Sequence, residues 1–362
     1  MRVAVLANLK ANAPTWQGIP HDQWDDLDSP KSVGAIVDAL RANGHSADYF
    51  EAQVTPPHSL IEKLTAYHPD ICFNIAESHF GDGREAQIPA LLEMLRIPYT
   101  GSRVLSQAIA LDKAMTKRIA AYHGLPTPEY QIFERADDPI SADFLTPDGG
   151  LRFPLFVKPN REGTSMGVTI DSIVTTPDAL RTQVAAGIVR YHQPILVERY
   201  IRGREVMVGM VGNCPPFDPR QHTPADLPQL APDLHFFSIL EMDVALTAAT
   251  EGDLYTSEMK KDMAVLYRYH CPAPLTDEQA ARLRYQAAGV FSVIDARDVS
   301  RVDFRLDADD GDAPYILEIN TLPGLTPSFS DLCVQAESDG WAYEKLVGAI
   351  LDAAARRWSL TA

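Results

Sequence analysis

The stretch from Asp298 to Leu325, DVSRVDFRLDADDGDAPYILEINTLPGL, constrains the fold more than any other. Two β-like runs flank an acidic, glycine-bearing connector, DADDGDA, and this pattern predicts a hairpin. Side chains alternate between the faces of a strand, so Arg301, Asp303 and Arg305 share one side of the first run while Val302, Phe304 and Leu306 share the other. In the second run Tyr315, Leu317 and Ile319 are expected on one side, and Ile316, Glu318 and Asn320 on the other. Laid side by side, the polar faces gather two carboxylates and an amide beside a guanidinium. A hard cation such as Mg²⁺ accepts such a set, binding through a few carboxylates plus the phosphates of a substrate. A salt-bridged hairpin face in solvent fits the same spacing.

The 362 residues suit two or three domains. RVAVLAN and DICFNIAES read as buried strands, and DSPKSVGAIVDALRANGH as a helix with Asp28 or Ser29 as N-cap, Pro30 in the first turn and Gly44 closing it. With a further helix through AQIPALLEML, the alternation implies a parallel sheet covered by helices over residues 1–108, whose ligand-binding loops lie at the carboxyl ends of the strands. A second unit, 109–193, holds the helix LDKAMTKRIAAYHG, the strand FPLFVKP and the loop NREGTSMGV. A third, 194–362, starts at PILVERYI and ends in the helix YEKLVGAILDAAARRW. The six prolines of segment 214–237 exclude a regular helix or central strand there and leave a long loop.

A net charge of −17 argues against a nucleic-acid surface, though not against a local basic pocket for a nucleotide. No apolar run approaches a membrane span, and the opening MRVAVLA lacks the form of a signal peptide. Cys72, Cys214, Cys271 and Cys333 are scattered without a C-x-x-C pair, which fits reduced thiols and a cytoplasmic location.

Lys158 closes a strand before a loop in which Gly163 and Gly167 frame Thr164 and Ser165. Such a loop, with backbone N–H groups, hydroxyls and a lysine, suits phosphate oxygens; a surface lysine before a glycine turn is the plainer alternative. Lys113 carries less signal by itself. Glu198, or the backbone beside it, could face an adenine, and Glu205 could accept from ribose hydroxyls, although either could be a solvated acid. Lys260 and Lys261 fall on an expected loop, and His79 follows a strand, where it could touch substrate. No G-x-S-x-G elbow or H-E-x-x-H spacing offers another chemistry.

In order and spacing, IPYTGS, LDKAMTK, FVKPNREGTSMGV, LVERYIRGRE, SEMKKD, SRVDFRL and LEINTLPGL resemble the ATP-grasp superfamily, and within it the D-alanine:D-alanine ligases. The resemblance implies an ATP-grasp fold, α/β in its N-terminal Rossmann-like domain and α+β in the ATP-binding part. ATP would lie between the central and C-terminal units, with Lys113 and Lys158 on the phosphates and Glu198 with the backbone at Arg199 and Ile201 on adenine. Glu205 would bind ribose, Lys260 the γ-phosphate, and Asp303, Glu318 and Asn320 two Mg²⁺ ions. Arg301, aided by the backbone at Gly324, would steady charge during acyl transfer, and Thr164, Ser165 and the Lys260 loop would form a lid. The implied activity is an ADP-forming carboxylate–amine ligase acting through an acyl phosphate on amino-acid substrates, with a homodimer by analogy.

Four departures fall on positions that handle substrate. The family's G-G-x-S-x-E signature is absent, with Asp28, or Asp25 or Asp26, at the same helix entrance. Thr164 takes a serine-like position of the glycine loop, and Lys261 replaces a tyrosine. Phe329, flanked by Ser328 and Ser330, stands in the register of a serine that binds the acceptor carboxylate. These departures imply altered substrates; a genuine D-alanine–D-alanine ligase and a non-catalytic ATP-binding regulator are the alternatives.

Overall fold

The computed structural model describes residues 1–55, 59–144, 152–242 and 269–360. Strands Ser46–Glu51, Arg2–Ala7 and Ile71–Asn74 form a three-stranded parallel sheet in that order. Its central strand is apolar from Val3 to Ala7 and fully buried, as a parallel strand covered on both faces requires. The covering helix Pro30–Ala42 is capped by Ser29, whose hydroxyl accepts from Ser32 N at 3.1 Å. Ser29 therefore takes the cap and leaves the Asp28 carboxylate uncommitted. Gly44 leaves the helix at φ +82°, where an L side chain is strained.

The second sheet has four antiparallel strands, ordered Tyr130–Phe133, Ile195–Arg199, Leu155–Pro159 and Ile173–Val174. Leu180 and Val184 of helix Pro177–Tyr191 fill its core with Phe133, Val157 and Val197. Ile195–Arg199, expected to open the third unit, is an inner strand of this sheet, so a boundary after residue 193 would part hydrogen-bonded partners.

The third sheet runs Tyr269–His270, Leu240–Met242, Gly203–Gly212, Val299–Asp307 and Ala313–Asn320, with Leu234–Phe236 on the end of Gly203–Gly212. The Pro-rich segment supplies that short strand and a few single helical turns, Pro219–Gln221, Pro224–Asp226 and Leu227–Leu230. The hairpin forms as expected, turning through Ala308–Asp310 and Gly311, but its second strand departs from simple alternation. Asp303 pairs with Glu318 while Phe304 pairs with Ile316, so Leu317 is an extra residue in a β-bulge. The bulge reverses the facing of everything before it. Ile316 and Ile319 both enter the core with Val302 and Phe304, against helix Asp277–Val293, and the expected grouping of Ile316 with Glu318 and Asn320 is incorrect.

Helix Tyr343–Arg357 returns to the first sheet, where Val347, Ile350 and Leu351 join Ile36, Leu40, Val5 and Phe73 in one apolar cluster. Among the described residues no helix is long and apolar enough to cross a membrane. The four cysteines are free thiols.

Candidate active site

Two cavities meet beside the hairpin. The first, about 860 Å³, lies between the four-stranded and six-stranded sheets and is lined on its apolar sides by Phe156, Met166, Val168, Ile201, Met207 and Leu317. A flat aromatic ring fits between such walls. The bulge serves this cleft by turning Leu317 into it beside Glu318. Arg199, Glu205 and Arg305 line the same cleft, with Glu205 3.3 Å from the Arg305 guanidinium.

At its inner end Glu198 is buried between two lysines, 2.8 Å from Lys117 Nζ and 2.7 Å from Lys158 Nζ. Burial alone would raise Glu198, but the two ammonium groups outweigh it and hold the carboxyl below its ordinary value. Burial pushes Lys117 down to about 8 against the pull of Glu198. It would lower Lys158 too, but Glu198 and Glu318 raise that lysine above its ordinary value. The Glu198 carboxylate is thus spent on lysines, and only the neighbouring backbone remains for adenine. Lys113 lines both cavities: it donates to Glu162 O and stands 3.3 Å from Glu318. Lys117, one helical turn on, is the lysine that joins Lys158, and the sequence reading passed over it.

The hairpin brings Arg301, Asp303, Glu318 and Asn320 together as expected. Arg301 grips Asp303 with two bonds, Nε to Oδ1 at 2.7 Å and Nη2 to Oδ2 at 2.8 Å, and reaches Asp331 at 2.8 Å. Asn320 donates to Asp303 Oδ2 at 3.0 Å. Burial lifts Asp303 to about 6, with Arg301 opposing the rise. Among the described residues no three His, Cys, Asp or Glu side chains form a metal cage by themselves. Two carboxylates and an amide fit a hard cation that draws its other ligands from phosphate oxygens and water.

The glycine loop approaches the cleft from above, with Thr164 and Ser165 both left-handed at φ 51° and 58°. Its Gly167 N–H donates to Asp22 Oδ2 at 3.0 Å, and Tyr191 and Arg190 also bind that carboxylate. Asp22, from the N-terminal segment, is thereby a tether for the loop that the sequence did not disclose.

The second cavity, about 1280 Å³, opens between the carboxyl ends of the parallel strands and the hairpin. Lys113, Glu162, Arg301 and Glu318 line both cavities and mark their junction. Asp26, Asp28, Glu77, Glu85 and Glu162 contribute carboxylates to the second, along with Thr164, Gly324, Phe329 and Ser330. Ser330 lines the cavity without any loop shift, but its hydroxyl accepts from Thr326 N at 3.0 Å. Ser328 and His79 line neither cavity; His79 packs edge-on against Trp24 at 5.3 Å, because the loop after its strand turns the ring into an aromatic cluster with Phe80. Asp25 is drawn to Lys10 at 2.5 Å. Lys260 and Lys261 lie outside the described residues.

A family model described as D-ala D-ala ligase C-terminus matches residues 119–222 and 238–352. An uncharacterized protein of Sinorhizobium fredii is 32% identical over 99% of this chain and 98% of its own length. D-alanine–D-alanine ligase B of Chromobacterium violaceum is 32% identical over 89% of this chain and 91% of its length. The crystal structure of D-alanine–D-alanine ligase from Bacillus anthracis complexed with ATP superposes with a TM-score of 0.67 over 99% of both chains, at 22% identity, a likeness of fold.

Proposed function

This chain belongs to the D-alanine–D-alanine ligase family, and from that premise we propose that it is an ADP-forming ligase joining a carboxylate to an amine, with substrates other than two D-alanines. The observation that carries the reading is the junction: a cleft with apolar walls and buried lysines opens into a second chamber at Lys113, Arg301 and Glu318. A phosphoryl group held there can reach an acid in the neighbouring chamber.

A carboxylate is a poor electrophile. Transfer of the γ-phosphoryl group to its oxygen releases ADP and creates an acyl phosphate; the amine then attacks the acyl carbon, loses a proton and expels phosphate. Lys113 and Lys158, with Lys117 buried behind Glu198, hold the triphosphate, while Phe156, Met166, Ile201 and Leu317 sandwich the base, Arg199 and Ile201 offer it backbone and Glu205 takes the ribose. Lys260 is assigned to the γ-phosphate and Lys261 to substrate. Asp303, Glu318 and Asn320 would hold Mg²⁺, which supplies charge neutralisation on the phosphates. Arg301 faces the junction and offsets charge on the tetrahedral state, with Gly324 at the same wall. Thr164 and Ser165, on the tethered loop, exclude water that would hydrolyse the acyl phosphate.

Phe329 in place of a hydroxyl supports substrates whose acceptor carboxylate is held otherwise, or is missing. ATP chemistry and free thiols support a cytoplasmic site of action. A pairwise screen of amino acids and small amines for ADP release, with product masses, tests the reading. Amine-dependent ADP formation and a condensed product are expected; fast D-alanyl-D-alanine synthesis would show Phe329 and the altered N-terminal segment to be neutral, and ATP binding without turnover would show a regulator.

A further inference from the structure

The second cavity holds more negative charge than one amino acid can answer. Arg84, behind the lining, is taken by Asp26 Oδ2 at 2.8 Å, Glu162 at 3.4 Å and Arg161 O at 2.6 Å, and Arg301, at the junction, is taken by Asp303 and Asp331. Asp26 is 7% exposed at its side chain, yet its other oxygen, Oδ1, is buried with no hydrogen-bond partner. An orphaned carboxylate oxygen at that depth is costly unless a donor arrives from outside. Asp28, freed by Ser29 from capping duty, turns into the same space, as do Glu77 and Glu85.

These acids crowd one another. Burial, then Asp26, pushes Asp28 up to about 7. Burial raises Glu85 to about 7 against Arg84, with Asp26 adding to the rise, and burial with Glu85 and Asp26 carries Glu77 well above its ordinary value. Lys113 is engaged elsewhere, with Glu162 O and Glu318. A single α-ammonium answers one carboxylate; Asp28 and the open oxygen of Asp26 remain, beside Glu77 and Glu85, which hydrogen-bond to each other and stay raised despite Arg84.

We propose that one of the two joined substrates is dicationic, a basic amino acid or a diamine, and that its distal ammonium or guanidinium seats among Asp26, Asp28, Glu77 and Glu85. The proposal rests on the ligase reading only in taking the second cavity as the amino-substrate chamber. A bound cation turns mutual repulsion among the four acids into attraction and supplies the missing donor to Asp26 Oδ1. It also discriminates sharply, because a neutral side chain of equal length would leave those carboxylates buried and unmatched.

Calorimetric titration of the full chain, loaded with a non-hydrolysable ATP analogue and Mg²⁺, tests this with both enantiomers of lysine and ornithine against norleucine and norvaline, which lack only the distal amine. At least one dibasic probe is expected to bind tenfold or more tighter than its isostere, with protons released on binding near pH 6.5, read from buffers of different ionisation enthalpy. Glu77→Gln with Glu85→Gln should erase both the preference and the proton release while the melting temperature holds or rises, since like charges are removed. Equal affinity for lysine and norleucine, a preference that survives the double variant, or no binding of any dibasic probe overturns the proposal. ADP release with neutral pairs and no dibasic preference would sink the proposal and leave the ligase reading; dibasic preference without ADP release from any pair would do the reverse.

Discussion

The two cavities meet at the same four residues but treat charge in opposite ways. In the nucleotide cleft the principal charges are matched: Glu198 with Lys117 and Lys158, Asp303 with Arg301 and Asn320, Glu205 with Arg305. In the second cavity, away from the hairpin, Asp26, Asp28, Glu77, Glu85 and Glu162 crowd near the buried guanidinium of Arg84, and Asp28, Glu77 and Glu85 are raised. Matched charges give a site its shape before the ligand arrives, whereas unmatched ones wait for the ligand to complete them. On the proposed reading, the contrast separates a chamber built for a generic nucleotide from one that selects a particular partner.

The strongest way to break that contrast is to unmatch the cleft. Asp303→Asn should cut ADP formation by about 10³-fold, measured at saturating substrates; turnover within tenfold of the parent would remove the hairpin from the chemistry. Lys158→Met leaves Glu198 buried with Lys117 alone and should cost about 3 kcal/mol of stability, read from urea unfolding. An unchanged midpoint would mean that Glu198 does not need both lysines.

The second cavity should respond with the opposite sign. Asp28 is raised in the folded chain to about 7, so the unfolded chain loses its proton first and the parent loses stability as pH climbs from about 4 to about 7, with no further loss above. Asp28→Asn lacks that loss, and its advantage should grow across the same window to about 4 kcal/mol, followed by melting temperature against pH. A pH-independent difference would place Asp28 in an ordinary, solvated setting. The smallest effect is expected from Phe329→Ser, which should lower KM for small neutral acceptors by about tenfold, the worth of one hydrogen bond to a charged group; no change would take Phe329 off the acceptor's path.

The hairpin was legible because alternation needs only a period of two. The β-bulge was not, since the extra residue Leu317 looks like any other apolar position until strand pairing counts it out. Lys117 went unread because a lysine four residues after another on a helix is ordinarily solvated, and only the packing of helix Lys113–Tyr122 against the sheets buries it. The acidic cavity hides better still. Asp26 and Asp28 stand some fifty residues from Glu77 and Glu85, and they converge because strands Arg2–Ala7 and Ile71–Asn74 are parallel neighbours whose following loops leave from the same edge. The absent glutamate signature was visible; that several scattered acids gather in one cavity became visible only with the topology.

Helix Tyr343–Arg357 shares an apolar cluster with the first sheet, so the last stretch of the chain is part of the foundation of the first. A chimera that exchanges the parallel-sheet unit with a relative must carry this helix along, or it will leave Val347, Ile350 and Leu351 facing foreign surfaces. Substrate preference and the far terminus are in that sense inherited as a single piece.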